Sequence, residues 1–258
     1  TIENKGSDTL VNLALAWAEA YMAANTDARI SVTGGGTGTG IAALINGTVD
    51  IANASRAMKD EEIKSAEANG IEPVEHVVAR DAIAVVVHPS NPVDGLTLQQ
   101  ISDIYTGKIT NWQEVGGEDR PIVLLSRESN SGTYVYFLEE VIRMGEKSAL
   151  LFSPDTLLMP SSEGISAEVR QNPNAIGYDG LGYVTDDQKM VGVAAADGGA
   201  FVLPSVETVN DGTYPIAREL FMYTAGEPQG AIKAYLDYIL GAGQAVVPTL
   251  GFVPLKAE

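Results

Sequence analysis

Strand-like and helix-like segments alternate along the chain, which predicts an α/β protein with mostly parallel sheets and helices on their faces. Two further observations support this class. Short apolar runs, such as the one over 121–125, have the length of buried strands. Each of four turns rich in hydroxyls or glycine falls at the carboxyl end of a strand, where α/β folds bind ligands.

Taken in order, residues 8–25 place Leu10, Leu13, Ala14, Trp17 and Tyr21 at helical spacing, and Gly6-Ser7-Asp8-Thr9 supplies capping residues ahead of them. Residues 29–33 alternate as a strand and run into a glycine loop over 34–40, which opens a short helix over 41–45. A strand over 49–54 ends at Ser55-Arg56, and a polar helix over 59–69 is closed by Gly70. The apolar stretch 77–87, interrupted by Arg80-Asp81, reads as one or two strands. A short helix is predicted from Leu96 to Tyr105, followed by a loop through Asn111-Trp112. After the strand 121–125 come the turn Arg127-Glu128-Ser129-Asn130-Ser131-Gly132-Thr133 and a helix over 134–142. A helix over 165–170, strands over 175–178, 190–194 and 218–224, and a last helix over 228–239 complete the prediction. Pro228 takes the favoured first-turn place of that helix.

Composition narrows the function classes. The 258 residues are 45% apolar and 19% charged, enough to bury a substantial core in one domain or two. No apolar run approaches the roughly 20 residues of a membrane span. The chain opens on no signal-peptide pattern, so any such segment is expected to have been removed. With no cysteine, disulfide and thiol chemistry are excluded. His76 and His88 are too few for most transition-metal or histidine-based catalytic sites, which weakens metal-hydrolase and serine-triad readings. Thirty-four acidic against 16 basic residues leave a net charge of −18, opposite to a nucleic-acid binder.

The Arg127–Thr133 turn has the makings of an anion site, since a helix N-terminus presents free N–H groups and an arginine adds a planar fork of donors. The same residues fit equally well a capped helix with an arginine at a strand end. Gly34 to Gly40 lacks the acidic partner of a dinucleotide fingerprint and the Gly-Lys-Ser/Thr of a P-loop, yet its glycines allow close backbone approach to a ligand. Ser55-Arg56 taken alone fits a cap plus a surface salt bridge, and Asp8 fits a helix cap. Together, two arginines and three hydroxyl-bearing turns suit a tetrahedral oxyanion.

These turns, with Gly47-Thr48-Val49-Asp50-Ile51-Ala52, Gly107-Lys108-Ile109-Thr110-Asn111-Trp112, Asn174-Ala175-Ile176-Gly177-Tyr178 and the ending Gly251-Phe252-Val253-Pro254-Leu255, closely resemble the phosphate-binding proteins of bacterial phosphate ABC importers, the PstS family. The resemblance runs over essentially the whole chain. It implies a type II periplasmic-binding-protein fold: two α/β lobes, residues 1–84 with 222–258 and residues 85–221, joined by crossing strands near 82–87 and 218–223. Inorganic phosphate would sit in the cleft between them, and hinge closure would follow its binding.

Carried over by motif, the ligand contacts fall on Asp8, Thr9, Thr37, Ser55, Arg56, Arg127, Ser131, Gly132 and Thr133. Arg56 stands where some members have the aspartate that accepts the phosphate proton, and Ser129 where some have another. That role is then expected of Asp8, with Glu128 as the alternative. The resemblance further implies a non-enzymatic, extracytoplasmic monomer that needs no metal or organic cofactor and passes phosphate to membrane permease subunits, with a lipid anchor left open. A receptor for sulfate, molybdate or a phosphonate is the alternative. A phosphoryl-transfer enzyme is disfavoured because the sequence offers no metal cluster, histidine base or P-loop.

Overall fold

The computed structural model describes residues 1–256. The chain divides into two compact units. Unit 1 is Thr1–Asp81 together with the chain from Arg218 onward, and unit 2 is Ala82–Ala217. The expected joins at 84 and 221 lie on the same two strands.

Unit 1 opens with β1 (Ile2–Gly6), α1 (Val11–Ala24), β2 (Ile30–Thr33), α2 (Thr37–Ile45), β3 (Ile51–Ala54) and α3 (Asp60–Ala68). The long strand β4 (Pro73–Val87) then carries the chain into unit 2. Unit 2 contains β5 (Gly95–Thr97), α4 (Leu98–Tyr105), β6 (Val123–Arg127), α5 (Gly132–Tyr136), β7 (Leu157–Met159), α6 (Ser162–Gln171), β8 (Ala175–Gly180), β9 (Lys189–Met190), β10 (Gly192–Ala194) and α7 (Val206–Asn210). The chain returns along β11 (Ala217–Ala225) to α8 (Gly230–Leu240) and a 3-10 segment, Ala242–Leu250.

In unit 1 the strand order is β2-β1-β3-β11-β4, with β1 parallel to both β2 and β3 and β11 antiparallel to β3. In unit 2 it is β4-β8-β6-β7, with β6 parallel to β8 and β7 and with β4 antiparallel to β8. The sheets are therefore mixed, with parallel neighbours among β1, β2 and β3 and among β6, β7 and β8, in line with the mostly parallel sheets expected. The antiparallel members are the two strands that pass from one unit to the other, which follow no βαβ crossover.

The cores follow from the sequence pattern. Leu10, Leu13, Ala14 and Trp17 of the first helical stretch pack with Ile2, Ile51, Leu220, Met222 and Tyr235. Ile41 and Leu44 of α2 pack on the opposite face of the sheet with Ala52, Ala54 and Phe221. Unit 2 buries Ala84, Val86, Leu125, Ile165, Val169 and Ala175 together. Beside them Phe137 stacks on Tyr178 with ring centroids 3.8 Å apart.

Several elements differ from expectation. The stretch 2–6 forms a strand that had not been assigned. Gly95–Thr97 is a strand ahead of α4, and the expected helix over 134–142 becomes α5 followed by a π-helical turn, Phe137–Ile142. The single strand expected over 190–194 is two, one pairing with β4 and the other with β5.

Candidate functional site

In unit 1, three strand ends are tied together by backbone bonds. Ser7 N donates to Asn53 O at 2.9 Å, and Gly36 N donates to Gly6 O at 2.9 Å. A Cβ on Gly6 would sit 2.1 Å from Asn53 O, so only glycine lets β1 leave the sheet this close to β3. Gly35 and Gly36 have φ of 118° and 94°, in the region that favours glycine, and swing the chain from β2 into α2. The N–H groups of α2's first turn have no helical carbonyl to bond.

Asp8 does not cap α1, the alternative to its expected role as a ligand contact. The helix starts at Val11 with Leu10 as its cap residue and no side-chain cap bond. Asp8 is exposed, and its Oδ1 accepts from Gly35 N at 2.9 Å, which pins the glycine loop. Thr37, the first residue of α2, is brought to Ser55: their hydroxyls are 3.2 Å apart, and Ser55 N donates to Thr37 Oγ1 at 3.1 Å.

Arg56 lies over the same helix turn, with Nη2 4.0 Å from where a Gly38 Cβ would be. Its fork is occupied from behind. Nη1 donates to Glu62 Oε1 at 2.7 Å and to Ala57 O at 3.1 Å, and Nη2 donates to Glu62 Oε2 at 3.3 Å. Burial works against the Glu62 carboxylate, but the Arg56 bonds and the Lys59 N–H outweigh it and hold it below the ordinary value. The salt bridge that the bland reading of Ser55-Arg56 anticipated is therefore present.

A second arginine of unit 1, Arg218, reaches the same turns. Arg218 Nη2 is 3.5 Å from Thr9 Oγ1, and its Nη1 is 3.5 Å from Ser55 O. Nη2 also pairs with buried Asp81 at 3.1 Å. Sequence reasoning placed Arg218 on a crossing strand without a site role. The available signal was Arg80-Asp81, a charged break in the apolar stretch of β4 that needed a partner.

In unit 2, Arg127 ends β6. Its Nη1 donates to Ser162 Oγ at 3.2 Å, its Nη2 lies 3.5 Å from Pro160 O, and its Nε is buried without a partner. Ser131, Gly132 and Thr133 are half-buried and open α5: Ser131 is the cap residue, makes no side-chain cap bond, and accepts Val135 N on its carbonyl at 3.2 Å. Glu128 and Ser129 are exposed.

Behind Arg127 lies a group the sequence reading missed. Ser162 Oγ donates to Asp179 Oδ1 at 2.7 Å, and Gly180 N donates to the same oxygen at 2.9 Å. Asp179 is 1% exposed, and its Oδ2 has no partner. Burial pushes its carboxyl up to about 6, against the pull of the Ser162 and Gly180 bonds and of the Arg127 charge. An aspartate directly after the apolar run 175–178 was the available signal. Chemically, each unit gathers arginine, hydroxyl and backbone N–H donors, an arrangement suited to an oxyanion.

Comparison with known proteins bears on this donor set. The model of the PBP superfamily domain matches residues 1–242. The phosphate-binding protein PstS of Pseudomonas aeruginosa is 36% identical, over 100% of this chain and 84% of that protein. This chain belongs to the PstS family of periplasmic-binding proteins. PstS of Bacillus subtilis is 34% identical over 97% of this chain and 79% of its own length. Among solved structures, a putative phosphate ABC transporter substrate-binding protein with bound phosphate from Clostridium perfringens is 35% identical, with a TM-score of 0.70 and 99% of each chain covered. An ABC-type phosphate transport receptor from Vibrio cholerae is 26% identical, with a TM-score of 0.80 over 98% of this chain and 99% of that one. The type II periplasmic-binding-protein fold implied by the sequence is thus the fold of the molecule. Among the described residues no helix is long and apolar enough to cross a membrane, and no cluster of acidic and histidine side chains is arranged to hold a metal ion.

Proposed function

We propose that this protein is an extracytoplasmic receptor that captures inorganic phosphate without chemically altering it and delivers it to an ABC permease. The observation that carries this reading is Arg127, whose buried Nε has no partner in a family whose members are named for phosphate. Thr9, Thr37, Ser55, Arg56 and Asp8 in unit 1, and Arg127, Ser131, Gly132 and Thr133 in unit 2, are proposed to donate to or orient around one ion, with Arg218 added to the set. Phosphate would then bridge the two units and favour a closed state, since ligand shifts the population toward the form it binds better. The protein acts as a monomer in this proposal.

Calorimetric titration with phosphate, sulfate, molybdate and a phosphonate tests the ligand class. Phosphate is expected to bind most tightly, and a preference for another oxyanion would reassign the substrate. Arg127→Ala should abolish measurable phosphate binding with an unchanged melting curve, because removing one partner of a buried charge-assisted contact costs about 2–5 kcal/mol or more. Wild-type affinity in that variant would take Arg127 out of the site.

A further inference from the structure

Two residues of unit 2 that share one serine each keep an orphaned buried polar atom: Nε of Arg127 and Oδ2 of Asp179. Ser162 connects the two residues, accepting from Arg127 Nη1 and donating to Asp179 Oδ1. Arg127 and Asp179 are held in series rather than as a direct ion pair. We propose that Asp179 is a proton-coupled positioning residue: through Ser162 it holds Arg127 in place for the anion, and anion binding at Arg127 draws a proton from solvent onto Asp179. This rests on the reading of Arg127 as an anion contact.

The geometry explains why the two roles are compatible. Oδ1 carries both accepted bonds, from Ser162 Oγ and Gly180 N, and these survive protonation at the other oxygen. The arm from Asp179 to Arg127 therefore keeps its shape in either state, while the charge behind Arg127 changes. With Asp179 ionised, the carboxylate competes with the anion for the guanidinium. With Asp179 neutral, the full positive charge faces the ligand. An anion brought to Arg127 disfavours the ionised carboxylate and so favours proton uptake.

The surroundings leave few other groups to produce this effect. From β6 the charged group acting on Asp179 is Arg127, and from α6 it is Glu163. On β4 the residues in register with β8 are the apolar run from Ile83 to Val87. On its own strand, Tyr178 bonds to Ser126 Oγ instead. Without ligand the Asp179 carboxyl is raised to about 6, close enough to neutrality for a nearby anion to change its state.

The test is calorimetric titration of wild type, Asp179→Asn and Ser162→Ala with sodium phosphate from about pH 5 to 8, in buffers of different ionisation enthalpy. Phosphate's own titration is common to all three and cancels in the ratio of affinities. Asparagine keeps an acceptor for Ser162 but cannot ionise. Wild-type affinity relative to Asp179→Asn is expected to fall about tenfold as pH rises through this range, one decade for each pH unit by which the bound anion raises the carboxyl. Wild type should also take up an extra fraction of a proton on binding. Ser162→Ala is expected to bind several-fold more weakly at every pH.

A pH-independent ratio with equal proton uptake overturns the coupling, and normal binding by Ser162→Ala overturns the positioning; either leaves phosphate binding intact. Failure of wild type to bind phosphate at all overturns the functional reading and this inference with it. Should Asp179→Asn not fold, the carboxyl carbon resonance of Asp179 in wild type decides the matter. It must titrate at higher pH with phosphate than without, and coincident curves refute the coupling.

Discussion

Asp179 affects stability as well as binding. Its carboxyl is raised from the ordinary 3.8 to about 6, chiefly by burial. Between those values the folded chain holds a proton that the unfolded chain has released. The folded state therefore loses stability as pH rises from about 4 to about 6, and the loss persists above that range. The interval corresponds to roughly 3 kcal/mol. Asp179→Asn removes the titration, so its unfolding free energy minus that of wild type should climb by about 2–3 kcal/mol between pH 4 and 7 without phosphate. Urea unfolding at a series of pH values measures this, and a flat difference would mean that the carboxyl ionises without penalty. At this scale the sequence was legible where residue type and chain neighbours suffice: Arg127, Ser131 and Thr37 stand at strand ends or helix starts as their motifs implied. Asp179, Ser162 and Arg218 were not legible, because their partners lie 17 to 209 residues away in the chain. Asp8 shows the converse case. Its place before a helix allowed a cap, but its Oδ1 accepts from the N–H of Gly35, 27 residues on.

At the scale of elements, the close seat of α2 on β1 positions the candidate residues of unit 1. A Cβ on Gly40 would meet Lys5 O at 2.4 Å and Gly6 Cα at 2.6 Å, all backbone that cannot step aside alone. Two residues earlier, on another side of the helix, a Cβ on Gly38 meets only the end of the Arg56 side chain, at 4.0 Å. Gly40→Ala should therefore destabilise by about 1–3 kcal/mol or more as the helix is pushed off the strand. Gly38→Ala should stabilise by up to about 1 kcal/mol, because alanine is the better helix former. Melting curves of the pair would refute the packing argument if both substitutions moved stability the same way. The strand β1 escaped the sequence reading for a related reason. Its inward positions are Ile2, Asn4 and Gly6, so two of three carry no apolar side chain to mark the period of two. β7 and α7, at three and five residues, are too short to show a period. The helices α1, α4 and α8 were legible because each repeats its apolar face over two or more turns.

For the whole molecule, charge and site oppose one another. A chain of net charge −18 repels an approaching phosphate, while the proposed site holds it with arginines, hydroxyls and backbone N–H groups at short range. The two effects separate with ionic strength. The Debye length shrinks from about 30 Å at 0.01 M to about 8 Å at 0.15 M, which screens the long-range repulsion and leaves buried contacts nearly untouched. The association rate of phosphate is therefore expected to rise several-fold as sodium chloride is added over this range, with the dissociation rate changing less. The chain has no cysteine, so Ser129→Cys, at an exposed position in the Arg127 turn, would carry a single environment-sensitive dye for stopped-flow measurement. The opposite result is just as informative. An association rate that falls with salt would mean that the local field of Arg56, Arg127 and Arg218 reaches past the acidic surface and steers the anion in. The net charge would then govern the approach of other partners, and not that of the ligand.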